Sequence, residues 1–140
     1  LLEAINQGPL LVNFIGHGSQ QLWSGGSILT SEDADRLING NRLSFFVNMT
    51  CLNGFFQDVY LESMAEALLK APQGAVAIWT SSGLTYPDQQ SLMNQELIRL
   101  LFNGGSLKLG EATMRAKAAT EDQDVRRTWI LFGDPSMKLK

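Results

Sequence analysis

Four short apolar runs, Leu10–Ile15, Leu43–Met49, Ala75–Thr80 and Thr128–Phe132, alternate with stretches whose apolar residues recur at helical spacing. This alternation constrains the fold more than any other feature of the chain. Each run has the length and the β-branched or aromatic content of a strand, and Gly8-Pro9, Gly74 and Gly133-Asp134-Pro135 punctuate the runs. Leu61, Met64, Ala65, Leu68 and Leu69 predict a helix up to Ala71. Leu92, Met93, Leu97, Leu100 and Leu101 predict another from Asp88 to Phe102, and a third fits Leu107 to Ala119. Thr30-Ser31-Glu32-Asp33 has the hydroxyl and early carboxylates of a helix start, so a short helix is expected to Asn39. Strands alternating with helices predict a three-layer α/β/α fold with a mostly parallel sheet and sites at the carboxyl ends of its strands.

With 140 residues, 44% of them hydrophobic, the chain suits one domain with an ordinary core. A net charge of -3 offers no basic footprint, so nucleic acid is not an expected partner. No apolar run approaches the roughly 20 residues that a spanning helix requires, and no membrane span is expected. The chain opens on Leu1 without a basic, apolar leader, as an excised or processed piece would. Cys51 is the one cysteine, which excludes an internal disulfide and a multi-cysteine zinc site. No loop clusters Asp and Asn at calcium-binding spacing, and neither a metal nor a cofactor is expected.

The chain has one histidine and one cysteine, and each lies two residues beyond the end of a predicted strand, in Gly16-His17-Gly18 and in Thr50-Cys51. Cysteine attack on an acyl carbon needs a thiolate, and a nearby imidazole can take the thiol proton and later protonate the leaving amine. The backbone amides of Gly18 and Cys51 are candidates to hold a developing oxyanion. A lone cysteine is more often a small buried hydrophobe, and a lone histidine more often structural. Their shared position at strand ends is what favours chemistry. Ser24-Gly25-Gly26-Ser27 lacks the lysine and the preceding strand of a phosphate loop, so a nucleotide site is poorly supported. Trp23 stands before those glycines and is expected to be partly exposed. Glu62 and Glu66 read as a solvated helix face and are assigned no role.

Val12-Asn-Phe-Ile-Gly-His-Gly-Ser19, Val47-Asn-Met-Thr-Cys-Leu-Asn-Gly-Phe55, Glu62-Ser-Met-Ala-Glu-Ala-Leu68, Gly74-Ala-Val-Ala-Ile78 and Phe132-Gly-Asp-Pro135 occur in the order found in the gingipain-like cysteine peptidases. The chain resembles that family, which has a caspase-like fold. The resemblance implies an endopeptidase acting through a thioacyl intermediate, with His17 as base, Cys51 as nucleophile and Gly18 as oxyanion-hole donor. It implies a primary specificity pocket built from residues before the histidine and cysteine and from the loop Ser81 to Asp88. Trp79, Ser81, Ser82 and Tyr86 are the pocket candidates, although a tryptophan closing an apolar strand is more often core. Family members have a six-stranded sheet, so residues 1–140 are expected to form only the C-terminal part of a catalytic domain. An upstream segment is expected to complete the sheet and to supply both the acid that orients the histidine and the acid that selects a basic substrate residue. An open sheet edge also makes self-association an expectation. Peptides or proteins are the expected substrates, and the resemblance suggests a secreted or cell-surface bacterial protein. The rival is a non-catalytic caspase-like module that binds peptides or protein partners; retention of both His17 and Cys51 favours the enzyme.

Overall fold

The computed structural model describes residues 1–103 and 106–139. In chain order the elements are α1 (Leu2–Asn6), β1 (Leu11–Ile15), β2 (Gly18–Ser19), β3 (Leu22–Trp23), β4 (Leu29–Thr30), a 3-10 helix (Ser31–Arg36) and β5 (Ser44–Met49). They are followed by α2 (Met64–Lys70), β6 (Ala75–Ser81), α3 (Pro87–Phe102), α4 (Leu109–Lys117), α5 (Gln123–Thr128) and β7 (Trp129–Gly133). The main sheet has the order β1-β5-β6-β7; β1, β5 and β6 run parallel and β7 is antiparallel at the edge. Every residue of β5 is buried, as expected of a central strand covered on both faces.

Strand alternation divides the core into two layers. Phe46 and Ile78 pack on one face with Ile5 of α1, Leu37, and Met64 and Leu68 of α2. Phe45, Val47 and Trp79 pack on the other with Met93 and Leu97 of α3 and Trp129 of β7. This is a three-layer α/β/α arrangement around a mostly parallel sheet.

Local chemistry accounts for where the elements depart from the sequence expectations. The segment opening at Thr30 forms only a 3-10 helix, because the chain turns to extended backbone at Leu37, whose side chain is buried in the core. The α2 helix starts at Met64, not near Leu61, because Ser63 and Glu66 make a reciprocal capping box, while Leu61 stays outside it and exposed. Pro87 occupies the first turn of α3, where its missing N–H costs nothing. Three features had no periodic signal: the five-residue α1, the small antiparallel sheet β2-β3-β4, and α5, which Asp122 caps through the Asp124 and Val125 amides. Thr128, expected to open the last strand, ends α5 instead.

Candidate active site

The β1/β5 register pairs Ile15 with Met49, and the Gly16 N–H donates to the Met49 carbonyl at 3.2 Å. His17 and Cys51 each lie two residues past that matched pair, at the carboxyl end of neighbouring parallel strands. Both line one cavity of about 260 Å3, together with Ile15, Gly16, Thr85, Pro87 and Gln90. His17 is exposed and Cys51 half-buried. The Cys51 thiol donates to the Thr85 carbonyl at 3.5 Å. Among the described lining residues His17 is the one ionisable group besides the thiol; no carboxylate borders this cavity.

Beyond Cys51 the backbone turns sharply. Leu52 has φ 62°, a left-handed conformation unusual for a branched side chain. The turn is held against the end of β6: the Leu52 N–H donates to the Gly83 carbonyl at 3.1 Å and the Gly54 N–H to the Ser81 carbonyl at 2.9 Å. A side chain at Gly54 would lie 2.8 Å from both Phe132 and Thr80, so only glycine lets the turn sit this close to the sheet.

The hairpin after His17 is fixed to the same turn. The Ser24 N–H donates to the His17 carbonyl at 2.7 Å, which makes residues 17 and 24 a hydrogen-bonded pair of the antiparallel ladder. Gly18 and Trp23, the next pair, are therefore of the non-bonded kind, and the Gly18 N–H is directed away from β3. Gly18 also packs closely on the segment that carries Cys51: an added Cβ would lie 2.5 Å from Thr50 Oγ1 and 2.9 Å from the Leu22 carbonyl oxygen.

Of the expected pocket residues, Tyr86 is exposed and lines a second cavity of about 390 Å3 that also borders Cys51, with Leu84, Thr85, Asp122, Asp124 and Val125. Ser81 and Ser82 are buried behind it. The Ser81 hydroxyl donates to the Gly83 carbonyl at 3.0 Å and the Ser82 hydroxyl to the Thr128 carbonyl at 3.1 Å, so both brace the loop from within. Trp79 is in the core and lines a separate cavity of about 230 Å3 with Met114, Lys117 and Leu131, away from His17 and Cys51. Burial lowers the Lys117 ammonium below its ordinary range. Trp23 is 1% exposed, contrary to expectation, because it stacks on Phe14 at 4.3 Å. Glu66 caps α2, and Glu62 pairs with Lys70 at 2.5 Å and raises its pKa. Sequence reasoning passed over Asn53, Thr85 and Gln90; the signal for the last was a glutamine one turn before Met93 and Asn94 on the buried face of α3.

The model of Peptidase family C25 matches residues 1–140. The chain belongs to peptidase family C25. Curated relatives of this C25 chain include gingipain R2 of Porphyromonas gingivalis, 33% identical over 156 residues that span the whole chain and 21% of that protein. Gingipain R1 of the same organism is also 33% identical, over the whole chain and 15% of its own length. The chain thus spans about a fifth of the length of these relatives or less. Among solved structures, the complex of Porphyromonas gingivalis RgpB pro- and mature domains superposes with a TM-score of 0.90 at 30% identity, over 99% of this chain and 36% of that one. The Arg specific cysteine proteinase gingipain R gives a TM-score of 0.84 at 33% identity, over 99% and 35% respectively. The second of these structures is described as a cysteine proteinase, and the matched part of both shares the fold described above.

Proposed function

We propose that this chain carries the reactive dyad of a cysteine endopeptidase and forms the C-terminal part of its catalytic domain. The observation behind this reading is that the chain's one histidine and one cysteine border a single cavity at matched ends of adjacent parallel strands. His17 takes the Cys51 proton, and the thiolate attacks the carbonyl carbon of the substrate. The oxyanion that forms accepts hydrogen bonds from the Gly18 and Cys51 amides; the outward direction of the Gly18 N–H supports that role. Collapse breaks the C–N bond as imidazolium protonates the leaving amine, and water then hydrolyses the thioester with His17 again as base.

Ile15 and Gly16 before His17, and Thr85 and Pro87 after β6, wall the cavity beside the thiol, which makes it the pocket for the substrate residue whose carbonyl is attacked. Tyr86 extends that loop over the second cavity. Ser81 and Ser82 support the loop without touching either cavity, and Trp79 supports the sheet. The outer edge of β1 pairs with no strand among the described residues, and a segment from outside this chain completes the sheet there. No helix among the described residues is long and apolar enough to cross a membrane, and the proposed setting is secreted or at the bacterial cell surface.

In the full-length protein, Cys51→Ala should cut peptide hydrolysis by about 10^3-fold or more, at a fold cost of about 1–2 kcal/mol. His17→Ala should likewise slow alkylation of Cys51 by iodoacetamide at neutral pH. Undiminished hydrolysis by Cys51→Ala would refute the dyad. Binding of peptides with no turnover by the native protein would favour the non-catalytic module.

A further inference from the structure

Two polar side chains are buried on the inner face of α3, one turn apart. Asn94 has a partner: its Oδ1 accepts from Asn13 Nδ2 at 3.1 Å. Gln90 is 4% exposed, its backbone N–H is bonded to the Tyr86 carbonyl at 3.1 Å, and its carboxamide is not among the buried atoms left without a partner. Gln90 lines the cavity that His17 and Cys51 share. The Thr85 hydroxyl, on a residue that lines the same cavity, is buried without a partner among the described residues. Native structures leave few buried polar groups unpaired, because each forfeits its hydrogen bonds to water. A carboxamide on that cavity lining, among Ile15, Pro87 and the glycine backbone, is a polar group available to whatever side chain enters beside Cys51.

We propose that Gln90 is a specificity-determining residue: its carboxamide hydrogen-bonds the tip of the substrate's P1 side chain in the pocket beside Cys51. This rests on the peptidase reading above. The apolar lining residues Ile15 and Pro87 pack the stem of that side chain, and the carboxamide is the polar group offered to its tip. Gln90 Oε1 accepts from a donor on that group, and Nε2 donates to an acceptor where one is present. The carboxamide is neutral, so Gln90 reads hydrogen-bonding capacity and not charge. Any selection between a cationic and a neutral tip comes from outside the described cavity walls, none of which carries a carboxylate.

The test uses the full-length protein and a series of peptide substrates identical except at P1, which is glutamine, citrulline, lysine, arginine or norleucine. The native enzyme should turn over the best hydrogen-bonding P1 substrate with a kcat/KM at least tenfold above norleucine, as expected where a buried polar group rejects an apolar isostere. In Gln90→Leu that ratio should fall to near one, with the loss in kcat/KM falling on the hydrogen-bonding substrates. Gln90→Glu, which only accepts, should shift preference toward lysine and arginine over citrulline. An unchanged ratio in Gln90→Leu overturns the proposal and leaves the peptidase reading standing. Failure of the native protein to cleave any member of the series refutes the peptidase reading, and the role of Gln90 with it.

Discussion

The Asn53 carboxamide Oδ1 accepts the Trp23 indole N–H at 2.8 Å, which ties the turn after Cys51 to the hairpin after His17. Asn53 Nδ2 donates in addition to the Ser19 and Leu22 carbonyls, and Oδ1 accepts a further bond from Asn48 Nδ2 at 3.3 Å. One fully buried side chain therefore fixes the His17 loop relative to the Cys51 loop.

Asn53→Ala should destabilise the protein by about 1–3 kcal/mol, since it leaves the buried Trp23 N–H without its partner and removes the side-chain bonds to two backbone carbonyls. Denaturant midpoints read the stability loss. Alkylation of Cys51 by iodoacetamide should slow as well, because the His17 loop loses its attachment. A variant of native stability would show that the clasp carries no energy.

Gly18 faces Thr50 with no room for a side chain, so Gly18→Ala must push the hairpin away from the Cys51 segment. If Gly18 donates to the oxyanion, kcat should fall about 100-fold or more. Thr50→Ala alone should not reproduce that loss, and Gly18→Ala/Thr50→Ala should recover only part of it, because the Leu22 carbonyl oxygen still crowds the new methyl. Full activity in Gly18→Ala would remove this amide from the mechanism.

Strands β1, β5, β6 and β7 were legible because buried strands are continuous apolar runs, and their ends told where His17 and Cys51 would stand. The antiparallel direction of β7 was not, since strand composition does not encode polarity. The β2-β3-β4 sheet escaped notice because its two-residue strands are too short to show alternation. Trp23 was misjudged for a related reason: nearby glycines suggested a solvated loop, whereas its indole is positioned by Phe14 and Asn53, long-range partners that local sequence does not reveal. Trp79, expected to close its strand, lies two residues inside the end of β6, and strand alternation points it at Met93 and Leu97, not at the cleft. Gln90 looked like one more polar residue at the start of a helix, although its position one turn before Met93 and Asn94 puts it on the inward face of α3.

Asp33 supplies a pH-dependent stability term. Burial pushes its carboxyl up, but hydrogen bonds from the Thr30 amide and hydroxyl and from Arg36 outweigh that and hold it below the usual carboxylate range. A depressed folded pKa means that the contribution is fully present above the unfolded value near 3.9 and is lost as pH falls through the folded value. Native protein should thus exceed Asp33→Asn in stability by a constant margin from about pH 5 to 7, and the margin should shrink below about pH 4. Urea midpoints measured across that range check the sign, and a margin that grew on acidification would contradict it.

Leu52 tests whether strain is stored beside Cys51. Its φ of 62° is costly for leucine, and its N–H is bonded to the Gly83 carbonyl, so the surrounding turn enforces the conformation. Asparagine enters the left-handed region readily, whereas a β-branched residue resists it most. Leu52→Asn should therefore hold stability within about 1 kcal/mol of native, and Leu52→Ile, which preserves volume and hydrophobicity, should lose about 1–2 kcal/mol more. Thermal or urea unfolding of the two variants gives the order directly. If Leu52→Ile proves the more stable, side-chain packing outweighs backbone conformation at this turn, and Cys51 is held without local strain.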